Sequence, residues 1–386
     1  MNPSLILIMF GLLTWGIGEG LFFYFVPLHL EEMGANPLMI GSILGVFGLT
    51  MMVVHIPAGY LADRVGRRPL LVAAWIIGAL SAWIMALAPS LWPFVVGYLL
   101  YGLTACVSSP LFSYVTAARG SFTAGRAMTL TSAMFNLGAV LGPVTGGWIG
   151  DTFGLRATFL AAACVFIVST GIVLFLRPQP RDEHDDESSR ASLLANPRFT
   201  VFVGVLFVAT FVMYLPQPLT PNFLQNERGI SLGLMGWIGS AGSVGNVVFN
   251  LLLGRINARL GFLLGQALVG LFALLLWKGE AFPWYALGYF LLGGFRAARV
   301  LAFAQVRVLI HQAQMGLAYG ITEAANALAM FLSPLLAGYL YDRSPASIYP
   351  ISLGLLCFAM LLYFMLAPRA ETHPDLQAIG ETLIRD

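Results

Sequence analysis

The chain has 386 residues, of which 58% are hydrophobic and only 10% charged, whereas soluble domains carry about 25% charged residues. A soluble protein of this length has no interior large enough for that much apolar surface, so the solvent of its helices is lipid. The net charge of +2, from 20 basic and 18 acidic residues, gives no reason to expect a nucleic-acid partner.

A bilayer takes about 20 apolar residues to cross. Runs of that kind fall at roughly 4–28, 38–62, 69–88, 91–115, 126–149 and 157–176, which we call spans 1–6. They resume at roughly 199–222, 231–253, 260–277, 282–306, 314–340 and 347–367, spans 7–12. The first run lacks a basic flank and exceeds the length of a cleavable signal, so it is expected to remain as a span. The fold class expected is an all-α integral membrane protein of twelve transmembrane helices. Residues 1–176 and 199–367 would each form a six-helix bundle. Between them, 177–198 holds Pro178, Pro180 and the acidic run from Asp182 to Glu187, the composition of a solvated linker. The tail 368–386 is also polar. Cys106, Cys164 and Cys357 all sit inside apolar runs, so neither a disulfide framework nor a metal site is expected.

Arginine bias orients the chain. With the N-terminus inside, fourteen basic residues fall on the cytoplasmic side, Arg64, Arg67, Arg68, Arg119 and Arg126 among them, against Arg156, Arg228, Lys278 and Arg343 outside. Both termini are then cytoplasmic and the protein sits in the inner (plasma) membrane. The chain also repeats itself. Gly59-Tyr60-Leu61-Ala62-Asp63-Arg64-Val65-Gly66-Arg67-Arg68-Pro69 has a worn copy 195 residues later at Gly254-Arg255-Ile256-Asn257-Ala258-Arg259-Leu260-Gly261. Gly142-Pro143, Gly147 and Asp151 return 191 residues later as Ser333-Pro334, Gly338 and Asp342. Six spans per copy give both halves one orientation, so they are parallel repeats about an axis along the membrane normal.

These residues resemble those of the major facilitator superfamily. The stretch Gly59, Asp63, Arg64, Gly66, Arg67, Arg68 is similar to its signature loop between helices 2 and 3. Gly138, Gly142, Pro143, Gly146 and Gly147 resemble the glycine-proline motif on helix 5 of its drug/proton antiporter branches, although Thr129 stands at the first expected glycine. The resemblance implies that the loop latches the two halves at the cytoplasmic gate. Taken on their own, the same arginines are also what sets topology. Ala258 replaces the acidic residue in the second copy, which points to a latch in the first half only. Many proton-coupled antiporters of the superfamily carry an arginine on helix 4 shortly before a glycine; here the place before Gly102 reads Tyr98-Leu99-Leu100-Tyr101.

Four formal charges remain inside spans: Glu19, Arg296, Arg299 and Glu323. Each costs at least about 2.5 kcal/mol at mid-bilayer, so each belongs in a bundle interior or an aqueous cavity. Spans 3, 6, 9 and 12 carry no charge, and in the resembled fold those are the peripheral helices. Arg296 and Arg299 are three apart and share one helical face. They are a bidentate clamp for an anionic substrate group, internal partners of Glu19 and Glu323, or part of the coupling machinery. Glu19, flanked by Gly16, Gly18 and Gly20, is a candidate for proton coupling or substrate binding, and so is Glu323. Tyr24, Gln217 and Asn326 are further candidates on the cavity wall, and His55 a packing residue.

No phosphate-binding loop, nucleophile–base pair or metal spacing is present in the sequence, so neither an enzyme nor a cofactor is expected. The reading is a secondary active transporter of a small amphipathic organic solute. It would work by alternating access as proton-coupled efflux, with partners limited to solute, proton or other coupling ion, and lipid, and with the chain a monomer. The alternatives are an organic-anion transporter using the arginine pair and, from another class, a non-transporting receptor or lipid scramblase.

Overall fold

The computed structural model describes residues 2–178, 196–310 and 315–367. The side chains of 55–65, 108–109, 308 and 315–317 lie outside that description. Among the described residues there is no strand, and eleven helices are long and apolar enough to cross a membrane, twelve if one bent pair is a single span.

Polar side chains start several spans by accepting the first free amides. Asn2, Thr123, Asn196, Ser231 and Asn257 do so for the helices Pro3–Phe22, Ala124–Phe153, Pro197–Tyr214, Leu232–Leu253 and Ala258–Lys278, which begin spans 1, 5, 7, 8 and 9. Span 2 is Pro37–Val65 and span 3 Arg67–Leu87, hinged at Gly66 with φ 93°, a left-handed conformation that favours glycine. Span 6 is Leu155–Leu174, span 10 Phe282–Leu309, span 11 Met315–Arg343 and span 12 Ile348–Leu366.

Three spans are less regular than the sequence reading of single helices. Span 1 tightens into a 3₁₀ turn at Phe23–Phe25, then runs on as Val26–Glu32 behind Pro27. Span 4 is Leu91–Gly102, a 3₁₀ stretch Leu103–Val107 and Ser108–Ala117, with a bend of 41°. Span 7 stops at Tyr214, turns through Pro216 and Pro218 and resumes as Thr220–Asn226. Prolines lack the amide that would continue the helix there.

The pattern of neighbours repeats between the halves. Span 1 packs on spans 5 and 6 as span 7 packs on 11 and 12; span 3 packs on 4 and 6 as span 9 packs on 10 and 12. Two seams join the halves, spans 2 against 11 and spans 5 against 8. A Cβ at Gly41 would press into the Pro334 carbonyl oxygen, and one at Gly236 into that of Pro143. Gly45 lies against the Phe331 carbonyl, and at the matching place Ser240 donates its hydroxyl to the Val140 carbonyl at 2.6 Å. Small residues thus let these backbones touch.

We call the end where span 1 begins inner and the opposite end outer, following the arginine bias. At the outer end Asp151 accepts the Gly233 amide at 2.8 Å, a carboxylate on the N-terminus of span 8. Nearby, Glu31 accepts from Asn222 and, at 2.8 Å, from Asn226. Arginines also tie spans together within each half. Arg68 donates to the Leu174 carbonyl at the end of span 6, and Arg259, 191 residues later, to the Phe364 carbonyl at the end of span 12. Arg156 reaches Ala86 O and Arg228 reaches Trp277 O, again corresponding positions at the ends of spans 3 and 9.

Candidate functional site

Glu19 sits where four aromatic side chains of the first half converge. Trp15, one turn back on span 1, packs against Trp75 and Phe166 with ring centroids 4.8 Å from each. Its indole N–H donates to Glu19 Oε2 at 3.2 Å, and the Tyr101 hydroxyl of span 4 donates to the same oxygen at 3.0 Å. Tyr101 is buried, and a buried phenol finds an acceptor. Glu19 has no cationic partner among the described residues, and Oε1 has no hydrogen bond there.

That carboxylate opens onto a narrow cleft between the halves, with about 50 Å³ of free space. Spans 1 and 5 supply Glu19, Phe23, Tyr24, Phe135 and Asn136; spans 8 and 10 supply Ser243, Asn246 and Arg296. Tyr24 meets Tyr289 of the other half, ring centroids 6.3 Å apart. Arg296 is exposed to the cleft and has no hydrogen bond or ion pair among the described residues. Pockets for drug-sized ligands run to about 300–1,000 Å³, so this cleft must widen to admit one.

Arg299 behaves differently. It forms an ion pair with Glu323 at 2.7 Å, with a further contact from Nη1 to Met330 Sδ at 3.7 Å. Asn326 donates to Glu323 at 3.4 Å and accepts from the buried Thr210 hydroxyl at 2.8 Å. Spans 7, 10 and 11 are knitted together by this network.

The profile of the Major Facilitator Superfamily matches residues 8–217 and 202–383. The chain belongs to the Major Facilitator Superfamily. Among its relatives, the tetracycline resistance protein, class B, of Escherichia coli is 26% identical over 402 residues, 96% of this chain and 98% of that one. The quinolone resistance protein NorA of Staphylococcus aureus is 21% identical, covering 89% of this chain and 91% of its own. The crystal structure of the nucleoside transporter NupG superposes with a TM-score of 0.82 over 95% of this chain and 100% of that chain, at 13% identity. The fold is that of the superfamily, and the chain is a multi-span membrane protein of a transporter family.

The superfamily motifs fall away from the cleft. Gly138, Gly142 and Gly146 pack against span 1, at Leu13, Ile17, Gly20 and Leu21, while Gly147 faces Leu232 and Gly233 of span 8. The motif therefore both builds the first half and forms the outer part of one seam. In the signature loop, Gly66 makes the turn and Arg68 caps span 6; the side chains of His55, Asp63 and Arg64, and the surroundings of Gly59, lie outside the described residues. Of the sequence candidates, Glu19, Tyr24 and Arg296 come together at the cleft. Arg299, Glu323 and Asn326 form their own network. Gln217 donates to the Met213 carbonyl of its own span at 2.7 Å, in the turn that ends span 7. Trp15 was not among the candidates; it sits four residues before Glu19, the spacing that places two side chains on one helical face.

Proposed function

We propose that this protein is a secondary active transporter that exports a small amphipathic organic solute, with Glu19 as the carboxylate where solute and proton alternate. The observation that carries the reading is the Glu19 carboxylate, held by Trp15 and Tyr101 beside a central cleft and paired with no arginine among the described residues. Glu19 has no ion-pair partner among the described residues, which leaves it open to a proton and a cationic group in turn. The resistance proteins among the relatives support efflux of aromatic, amphipathic compounds. Tyr101 stands on the helix 4 stretch that lacks the antiporter arginine and supplies a neutral donor to Glu19 instead.

The two seams support alternating access. Bundles 1–176 and 199–367 rock about the cleft; the linker expected at 177–198 lies mostly outside the described residues. The outer contacts at Asp151 and Glu31 close the outer face in this state. The N- and C-termini are cytoplasmic and the protein acts as a monomer in the inner membrane. The organic-anion reading loses half of its clamp, because Arg299 is engaged by Glu323.

The test is transport in proteoliposomes with an imposed pH gradient, using tetracycline and amphipathic fluorescent dyes. Glu19→Gln should abolish gradient-driven transport while leaving solute exchange. Wild-type pH dependence in that variant removes Glu19 from coupling. Absence of any solute accumulation by the intact protein favours a receptor or scramblase.

A further inference from the structure

Glu19 and Arg296 face the same cleft from opposite halves without forming an ion pair. Opposite charges that share a low-dielectric space attract strongly if they can meet. Each of these is instead left open to a third party. Glu19 is anchored through Oε2 alone, so Oε1 remains for a cation. Arg296 has no acceptor among the described residues, so its guanidinium fork remains for an anion. The second pair of charges does not share this property, since Arg299 and Glu323 satisfy each other.

We propose that the cleft selects zwitterionic solutes: molecules with a cationic group for Glu19, an anionic group for Arg296 and an aromatic body between Phe23, Tyr24 and Phe135. The inference rests on the transport reading above and names its solute class. Selection works by exclusion as much as by attraction. A purely cationic solute at Glu19 sets its charge in a space that also holds Arg296. A purely anionic solute at Arg296 meets Glu19 in the same way. Only a solute carrying both signs leaves neither protein charge facing its like. Asn136 and Asn246 line the walls; the Asn136 nitrogen is held by Ser132 and the Asn246 oxygen by Asn250, which leaves one amide oxygen and one amide nitrogen for the solute. Because the two charges sit on different halves, a zwitterion also bridges them, and binding draws the halves together around it.

Three probes with one fluorescent body separate the cases: dansyl-lysine with its α-amine and carboxylate free, its methyl ester as a cation, and its Nα-acetyl derivative as an anion. Binding is measured at neutral pH by fluorescence on the purified full-length protein. The zwitterion should bind at least tenfold more tightly than either relative. In Glu19→Gln the zwitterion and anion should converge; in Arg296→Gln the zwitterion and cation should converge. Equal affinity for the three probes in the wild-type protein, or no binding of the zwitterion, overturns the proposal, and neither result needs a variant that folds. Gradient-driven dye transport that persists alongside such a result leaves the transporter reading standing, so the two can fail separately.

Discussion

Arg299 closes on Glu323 at 2.7 Å, whereas Arg296, three residues earlier on the same helix, opens into the cleft beside Glu19. Residues three apart on a helix are neighbours, yet about 60° separates their directions around a 3.6-residue turn. At the edge of a cleft that angle is enough to send one side chain to span 11 and the other toward span 1.

The ion pair should show up as stability. Its side chains are 27% and 35% exposed, so it is worth less than a fully buried pair but more than a surface one. Arg299→Gln or Glu323→Gln should each destabilise the protein by roughly 1–3 kcal/mol. The reversed pair Arg299→Glu with Glu323→Arg should recover part of that loss. Thermal unfolding of purified protein reads all three; an unchanged Tm in both single variants would sink the assignment.

The outer closure can be loosened from two sides. Asp151→Ala removes the carboxylate from the start of span 8, a loss of about 1 kcal/mol, which shifts an open–closed balance about fivefold. Gly236→Ala and Gly41→Ala push a methyl into a carbonyl across each seam and should act in the same direction. Gly204→Ala, with no neighbouring atoms within 4 Å, should not. The readout is labelling of Ser243→Cys by an impermeant maleimide added from outside. Labelling that stays at the parent rate in Asp151→Ala contradicts the role given to that carboxylate.

Arg68 and Arg259 make equivalent bonds in the two halves and should be equivalent in consequence. Arg68→Gln and Arg259→Gln should each cost about 0.5–1 kcal/mol of stability, as cations lost from helix C-termini. Far apart, the two losses should add. If Arg68→Gln stops transport with Tm intact, its main task lies elsewhere than the end of span 6.

Lipid solvation made the spans legible in the sequence, because apolar run length is set by bilayer thickness rather than by tertiary detail. The repeat was legible for a related reason: glycines and prolines at a seam have few substitutes, and Gly142-Pro143 and Ser333-Pro334 both survive. The breaks in spans 1 and 4 are not legible, since apolar composition runs straight through Phe23–Phe25 and Leu103–Val107, whereas Pro216 and Pro218 mark the bend in span 7. The divergence of Arg296 from Arg299 depends on the rotation of span 10 against its neighbours, which no spacing within one helix records. Tyr101 is legible as a polar residue that bonds between helices, but its acceptor is not, and Trp15 looks like any aromatic residue in an apolar helix. Asp151 was visible as part of the repeat, but its bond to Gly233 needs the seam to be seen.

The seams themselves are unequal in a way the repeat conceals. Where spans 5 and 8 meet, Ser240 and Asp151 each add a hydrogen bond. Where spans 2 and 11 meet, Gly45 offers no hydroxyl, and the exposed Asp342 has no partner among the described residues. Among the described residues the 5–8 edge has two bolts and the 2–11 edge none, and a door so held swings about the bolted edge: the 2–11 edge is the one that costs less to part.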